Sequence, residues 1–114
     1  TRFQVEIARQ IESIIVADLS HSHTVREFSL QFGISEGSVK NYFFGVFGQS
    51  IARYKTHKRM MYAAELLEKT DFSIIEIAGS VGYESQSKFA SAFRRKFGLP
   101  PIEYRKRKKV SAIS

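Results

Sequence analysis

The sequence predicts an all-α fold built around two helix-turn-helix units, at about residues 24–48 and 73–98, joined by a long helix at about 50–69. Three observations lead to this prediction. Apolar residues recur at spacings of three and four, the alternating pattern of strands is absent, and one arrangement of glycines and aromatic residues occurs twice. The chain has 114 residues and is 43% hydrophobic, which favours a packed core over disorder.

The helix starts can be read from the capping pattern. Two S/T-x-x-E sequences begin at Thr24 and Ser73 and place glutamates at Glu27 and Glu76. In such a capping box the hydroxyl accepts a hydrogen bond from a first-turn N–H, and the glutamate accepts one from the N–H of the cap residue. An earlier helix, at about 3–19, is predicted from one apolar stripe: Phe3, Ile7, Ile11, Ile14, Ile15 and Leu19.

The two helix-turn-helix units are predicted from an internal repeat. A shift of 49 residues aligns Gly33 with Gly82, and after one inserted residue a shift of 50 aligns Phe43 with Phe93. Ordinary helical hairpins also use glycine turns, but the parallel placement of caps, glycines and aromatic residues favours the helix-turn-helix interpretation. The other matching pairs are Thr24 with Ser73, Val25 with Ile74, Glu27 with Glu76, Phe28 with Ile77, Val39 with Phe89, Phe47 with Phe97, and Gly48 with Gly98.

The segment between the two copies, residues 50–69, contains no glycine or proline and is predicted to be one helix. A helix of that length is about 30 Å long. Successive major grooves on one face of B-DNA lie roughly 34 Å apart. Such a helix would suit two DNA-reading helices in adjacent groove segments, although a bend in the helix or in the DNA would alter the fit. Within this segment, Met60 and Met61 are predicted to pack in the core.

The net charge of +7 is concentrated in the second half of the chain. Residues 1–50 carry four basic groups against five acidic ones, whereas residues 51–114 carry fourteen against six. A basic half attracts polyanions such as nucleic acid. A solvated protein surface can carry the same charge, so the charge alone leaves both interpretations open.

The composition also bears on location. The absence of cysteine excludes disulfides and thiolate metal ligands, and it suits a reducing cytoplasm. No apolar run approaches the roughly 20 residues that span a bilayer, and no signal peptide is recognisable. We therefore expect a cytoplasmic protein with no membrane partner. Because the first residue is Thr1 rather than Met, we also expect a fragment of a longer protein with another domain before it.

A specific set of residues covers the second copy and the end of the chain: Glu76, Ala78, Gly82, Tyr83, Phe89, Phe93, Arg94, Gly98, Pro101, Tyr104 and Arg105. This pattern resembles the signature of AraC/XylS-type transcriptional regulators, and the resemblance extends over about residues 4–107. It implies a DNA-binding domain of about seven helices over residues 1–114. It also implies that helices at about 36–47 and 85–97 lie in the major groove to regulate transcription. The first copy agrees through Ser35, Phe43, Gly48, Tyr54, Arg59, Ala63, Leu66 and Leu67.

The first copy also departs from the family pattern. Gly37 and Gly45 fall within its second helix, where each costs roughly 1 kcal/mol relative to alanine. Phe44 stands at a position that is often charged in the family, and Ser29 replaces a small alanine. We therefore expect weaker base reading by the first unit.

Polar side chains on the two recognition helices are the candidates for base reading, because Gln pairs with adenine and Lys with guanine O6 and N7. For Gln86 and Ser87, helix capping is the alternative role. The base-reading candidates are Ser38, Lys40, Asn41, Gln86, Ser87, Lys88 and Ser91. The phosphate candidates, at two helix starts and late in the second recognition helix, are Thr24, Ser73, Arg94, Arg95 and Lys96.

Only Lys40 is charged among the candidates of the first unit, so we expect most of the affinity to come from the second unit. The basic run 105–109 is predicted to be a solvated helix end, in which Arg105 is structural and the lysines add non-specific attraction. The expected partner is double-stranded DNA, and RNA polymerase is a further candidate. We expect this fragment to be monomeric, with any dimer formed through a missing N-terminal region.

Other functions have weaker support in the sequence. His21, His23 and His57 lack the spacing of metal ligands, and no nucleophile elbow or phosphate-binding loop occurs. We therefore expect no enzyme activity, no cofactor and no metal. The main alternative is a helical protein-interaction module that docks on the transcription machinery with little DNA specificity. A protein that coats DNA without sequence preference is the third possibility.

Overall fold

The computed structural model describes residues 1–113, and over that range the chain forms seven α-helices and no β-strand. This architecture confirms the all-α prediction of two helix-turn-helix units and a long connecting helix. The elements are α1 (Arg2–Ala17), α2 (Val25–Phe32), α3 (Glu36–Phe47), α4 (Ile51–Lys69), α5 (Ile74–Ser80), α6 (Gln86–Phe97) and α7 (Pro101–Ile113). None of the helices in this range has the length and apolar character needed to cross a membrane.

The chain divides into two compact units, residues 1–58 and the residues from 59 onward. The first unit packs α1, α2 and α3 around one core with the first turns of α4. Its fully buried side chains come from all three of the leading helices, and Phe28 and Phe43 are the largest of them. Tyr54 of α4 joins this core and donates a hydrogen bond to the Glu12 carboxylate on α1. Burial raises the pKa of the Tyr54 hydroxyl, and the bond to Glu12 raises it further.

Helix α1 is shorter than predicted at its C-terminal end. It stops at Ala17 because Asp18 takes an extended conformation and its carboxylate accepts hydrogen bonds from the N–H and the hydroxyl of Ser20. The hydroxyl bond is also the main cause of the lowered pKa of Asp18. Leu19 therefore lies beyond the helix, and Phe3 at the other end is largely exposed.

The second unit forms its own core from the rest of α4 and from α5, α6 and α7. Phe89 and Phe93 of α6 are fully buried there, and Met60 of α4 packs with them. Met61, its neighbour, is 48% exposed, so the prediction that both methionines are core residues is wrong for Met61. Adjacent helical residues point about 100° apart, so burial of Met60 turns the next side chain away.

Arg105 connects two helices of the second unit. Its Nε donates to the carbonyl of Leu67 at 3.1 Å, and its NH2 nitrogen donates to the carbonyl of Thr70 at 3.2 Å. These carbonyls lie at the C-terminal end of α4, where backbone acceptors have no helical donors. The side chain thus caps α4 from α7, in agreement with the structural role predicted for it.

The repeated glycines adopt the conformation that the repeat predicts. Gly33 after α2 and Gly82 after α5 have φ angles of 66° and 83°, in the left-handed region that favours glycine. The capping prediction is confirmed in full only for Ser73 and Glu76, which bond reciprocally. At α2 the Thr24 hydroxyl accepts from the Glu27 N–H, but the return bond from the Glu27 side chain does not form.

Candidate nucleic-acid interface

Serine residues set the starts of both recognition helices. Ser35 precedes α3 and accepts a hydrogen bond from the Ser38 N–H, and Ser85 precedes α6 and accepts one from the Lys88 N–H. Ser85 was predicted to lie inside the second recognition helix, and it is instead the cap. Because Ser85 fills this role, Gln86 begins the helix with its side chain exposed.

Helix α6 separates its apolar and polar sides. Phe89, Ala92 and Phe93 are buried. On the opposite side Ser87, Ser91 and Arg94, spaced by four and three residues, form one exposed line along the helix. Gln86 and Lys88 are exposed on either side of the start of this line. All four base-reading candidates of the second unit therefore lie on the exposed surface of the first half of α6.

The last turn of α6 is basic. Arg94, Arg95 and Lys96 are all exposed, and they stand where the partial negative charge of the helix C-terminus favours cations. Their long side chains can reach phosphate oxygens beside a groove. The Gly98 N–H closes the helix by donating to the Arg94 carbonyl at 2.8 Å.

Helix α3 offers less charge. Lys40 and Asn41 are exposed, as base reading requires, whereas Ser38 is only partly exposed. The Ser38 hydroxyl already accepts a hydrogen bond from the Ser35 hydroxyl at 3.0 Å, so part of its capacity serves the cap. Of the three first-unit candidates, Lys40 and Asn41 are the better placed to contact a ligand.

Phe44 is a surface residue that sequence reasoning did not include among the site residues. It is 58% exposed and lies on one line of α3 with Gly37 and Asn41. The repeat itself was the signal that could have found it, because the shift of 50 aligns Phe44 with Arg94. Together with Lys40 and Asn41, Phe44 lines a concavity of about 320 Å³ whose other walls come from the starts of α2 and α4.

The two helix-start candidates for phosphate binding differ. At α5 the Ser73 N–H donates to the Glu76 carboxylate at 3.2 Å, and the hydrogen bonds from Ser73 lower the pKa of Glu76. This carboxylate would repel a phosphate. At α2 the Thr24 hydroxyl accepts from the Glu27 N–H at 3.1 Å, and the Glu27 carboxylate, which also lies in the first turn, does not bond to the Thr24 N–H. Thr24 therefore marks the more accessible of the two helix starts.

Among the other charged and titratable groups, two lysines of α7 lie beside acidic residues and two histidines lie close together. In the basic run of α7, Lys108 and Lys109 lie 3.5 Å from Glu68 and Asp71 respectively. The rings of His21 and His23 are 4.4 Å apart, and burial is the main cause of the lowered pKa of His23. Within residues 1–113, no three His, Cys, Asp or Glu side chains are grouped closely enough to hold a metal ion.

Comparison with known proteins adds a family and a set of structures. The profile of a helix-turn-helix domain family matches residues 28–107. The HTH-type transcriptional regulator ExsA of Pseudomonas aeruginosa is 38% identical over 82 residues, which are 72% of this chain and 30% of that protein. The chain thus spans less than a third of the length of ExsA, and the same holds for the virulence regulon transcriptional activator VirF of Yersinia enterocolitica.

Two solved structures share the fold. The C-terminal domain of AraT, a response regulator from Geobacillus stearothermophilus, matches with a TM-score of 0.82 and 32% identity over 88% of this chain and 84% of that one. The DNA-binding domain of the global transcriptional factor AdpA, crystallised with a target DNA, matches with a TM-score of 0.84. At 23% identity, covering 91% of this chain and 94% of that one, the AdpA match supports the fold alone.

Proposed function

The chain belongs to the AraC family of helix-turn-helix proteins, and we propose that it binds duplex DNA at specific sequences and thereby regulates transcription. The observation that carries the proposal is the pair of serine-capped helices, α3 and α6, which bury aromatic residues on one side and expose polar residues on the other. Relatives named as transcriptional regulators support it, and so does the fold shared with a domain crystallised on its target DNA. Such a regulator would act in the bacterial cytoplasm.

The polar residues of α6 and α3 are assigned to base reading. Gln86 suits adenine N6 and N7, and Lys88 suits guanine O6 and N7. Ser87 and Ser91 would contact base edges through their hydroxyls. In α3 the corresponding roles go to Lys40 and Asn41, with a smaller part for Ser38 because of its bond to the cap.

Basic residues at the end of α6 are assigned to the DNA backbone. Arg94, Arg95 and Lys96 would hold phosphates on one side of the groove. Thr24 at the start of α2 would add a contact through its helix start, and Ser73 a weaker one because of the neighbouring Glu76 carboxylate.

The second unit supplies most of the affinity in this proposal. Helix α6 carries four basic residues, namely Lys88, Arg94, Arg95 and Lys96, and no acidic one, whereas α3 carries Lys40 and the acidic Glu36. Phosphate neutralisation supplies a large share of the binding free energy of DNA readers. The helix with the larger positive charge should therefore contribute more.

The two recognition helices are assigned to adjacent major-groove segments of one site. Helix α4 has 19 residues. A straight helix of that length is about 28 Å long, comparable with the roughly 34 Å between successive grooves on one face of B-DNA. One chain would then occupy about two turns of DNA as a monomer.

RNA polymerase is a second candidate partner, and any dimer contacts are assigned to other parts of a full-length protein.

Selection of bound sites from a random duplex library, followed by affinity measurements on single variants, tests the proposal. We expect at least about 10³-fold preference for the selected duplex over random duplex. Removing one bidentate base contact costs about 1–3 kcal/mol, equivalent to roughly 5- to 150-fold in Kd. Lys88→Ala should lose affinity in this range and Lys40→Ala less, while the exposed Lys106→Ala on α7 serves as the charge-matched control.

Two results would contradict the proposal. A preference below about tenfold for any selected duplex would favour the protein-interaction module or the non-specific coater. A larger loss for Lys40→Ala than for Lys88→Ala would overturn the ranking of the two units while leaving DNA binding itself intact.

A further inference from the structure

The ring of Phe44 is exposed on the outward face of α3, in the last turn of the helix. The other aromatic residues of this helix are buried or half-buried in the core of the first unit, whereas Phe44 is 58% exposed and follows Gly37 and Asn41 on one line along the helix. The core therefore does not require a large apolar side chain at this position. An exposed phenyl ring has an unfavourable contact with water that a bound partner could relieve.

The equivalent residue of the other recognition helix is Arg94. A guanidinium can pair with a phosphate, but a phenyl ring has no charge and no hydrogen-bond donor for that purpose. On the floor of the major groove the one apolar group is the C5-methyl of thymine, and phenylalanine is one of the side chains that contacts it. At this position a ring therefore suits contact with a base better than contact with the phosphate backbone.

The surroundings of the ring suit a duplex as the occupant. Phe44 lines the concavity of about 320 Å³ together with Lys40 and Asn41, the two best-placed candidates of this unit. Val25, Ile51 and Ala52 provide apolar surface across it, and Ser50 completes the lining. Among these lining residues Lys40 carries a positive charge and none is acidic. A polyanion can approach such a surface, whereas an acidic rim would repel it.

The glycine beside the ring favours a close approach. Gly45 is in the interior of α3 without a positive φ, and a Cβ at this position would meet no atom within 4 Å. Neither the backbone nor the packing therefore requires glycine, which costs roughly 1 kcal/mol in a helix interior. A bare backbone next to Phe44 lets the helix come nearer to a ligand than a side chain would allow.

From these four observations we propose that Phe44 is a specificity-determining residue, whose ring packs against a thymine C5-methyl in the half of the site read by α3. The first unit then discriminates sequence mainly through apolar contact and adds little salt-dependent affinity. This inference rests on the proposed function, because it needs a specific duplex site.

Replacement of single thymines by uracil in the selected site tests the inference, because that change removes only the methyl group. Affinities are measured for the wild-type chain, for Phe44→Ala and for Leu30→Ala, a control that removes an even more exposed apolar side chain of the same unit. We expect one uracil to weaken wild-type binding about three- to tenfold. The same uracil should leave the affinity of Phe44→Ala unchanged, while Leu30→Ala should respond like the wild type.

The outcomes separate the inference from the proposed function. If the wild-type chain prefers the selected duplex but every uracil changes its affinity and that of Phe44→Ala by the same factor, the inference is wrong and the proposed function stands. If the wild-type chain has no preferred duplex, the proposed function fails. If Phe44→Ala keeps both its DNA affinity and its uracil response yet no longer activates transcription by RNA polymerase in vitro, the ring contacts protein and the inference is overturned.

Discussion

The phosphate role of Arg94 and Arg95 gives a prediction whose size can be calculated. Both side chains are exposed in the last turn of α6, and neither belongs to the core of the second unit. The double variant Arg94→Gln/Arg95→Gln keeps side chains of similar length and polarity but removes two positive charges. We expect it to bind the selected duplex more weakly and with a smaller dependence on salt.

The magnitude follows from counterion release. Each neutralised phosphate contributes about 0.9 to the slope of log K against log salt concentration, so two lost contacts should reduce the slope by about 1.8. Between 50 and 200 mM salt, a fourfold change, the affinity of the wild-type chain should then fall about 12-fold more than that of the variant. The difference between the two proteins therefore narrows as salt rises.

Fluorescence anisotropy at five or more salt concentrations measures the slope. The matched control is Lys106→Gln/Arg107→Gln, which removes the same charge from exposed positions on α7. Thermal unfolding of both variants confirms that each remains folded at the assay temperature. Equal changes of slope in variant and control would refute the reasoning, because they would show that net charge alone, and no contact by α6, sets the salt dependence.

Three further predictions concern stability and titration. Gly45→Ala should raise the free energy of unfolding by about 0.5–1 kcal/mol, because the position is helical and open. Gly48→Ala should lower the free energy of unfolding by about 1–2 kcal/mol, because its φ of 72° is unfavourable for alanine. Urea unfolding measures both changes, and changes of the same sign would contradict the prediction. Arg105→Ala should lower the free energy of unfolding by about 1.5–3 kcal/mol in the same assay, since two carbonyls lose a charged donor. A change below about 0.5 kcal/mol, the usual scale of surface substitutions, would argue against the capping role of Arg105. NMR titration should place the pKa of His23 below its ordinary value of 6.5, because the ring is partly buried. Between the lowered pKa and 6.5 the unfolded chain binds more protons than the folded chain, so the free energy of unfolding falls as the pH decreases through this range. His23→Gln should flatten this dependence, and an unshifted titration would disprove the burial argument.

The repeat made much of the fold predictable from the sequence. Gly33 and Gly82 were aligned by a simple shift, and both adopt the positive φ that the alignment implies. The buried aromatic residues of α6 followed from helical spacing alone, because Phe89 and Phe93 are four residues apart and share one face. These features depend on local sequence and on period, which a single chain displays directly.

The details that sequence reasoning missed depend on hydrogen bonds between particular atoms. Thr24 and Glu27 have the same pattern as Ser73 and Glu76, yet only the second pair bonds in both directions. Asp18 ends α1 through its bonds to Ser20, although the apolar stripe continues beyond it. In each case the sequence pattern allows a side chain more than one local hydrogen bond, and the pattern alone does not show which bond forms.

The base-reading residues were the least predictable part of the site. Helical position shows which side chains are exposed, but exposure alone does not distinguish a base contact from a phosphate contact or from a cap. Ser38 illustrates the difficulty, because it was chosen for its polarity and its hydroxyl is partly engaged by Ser35. Phe44 is the opposite case, since it was noted only as a departure from the family pattern, although it shares a line with Asn41.

Methylation interference on the selected duplex tests the central claim most directly, namely that both α3 and α6 enter the major groove of one site. Methyl groups at guanine N7 block contacts in that groove and leave the minor groove free. We predict two patches of interference on one face of the duplex, about 10 base pairs apart, with Lys88→Ala weakening only one of them. A single patch, or interference that is spread evenly along the duplex, would contradict the claim.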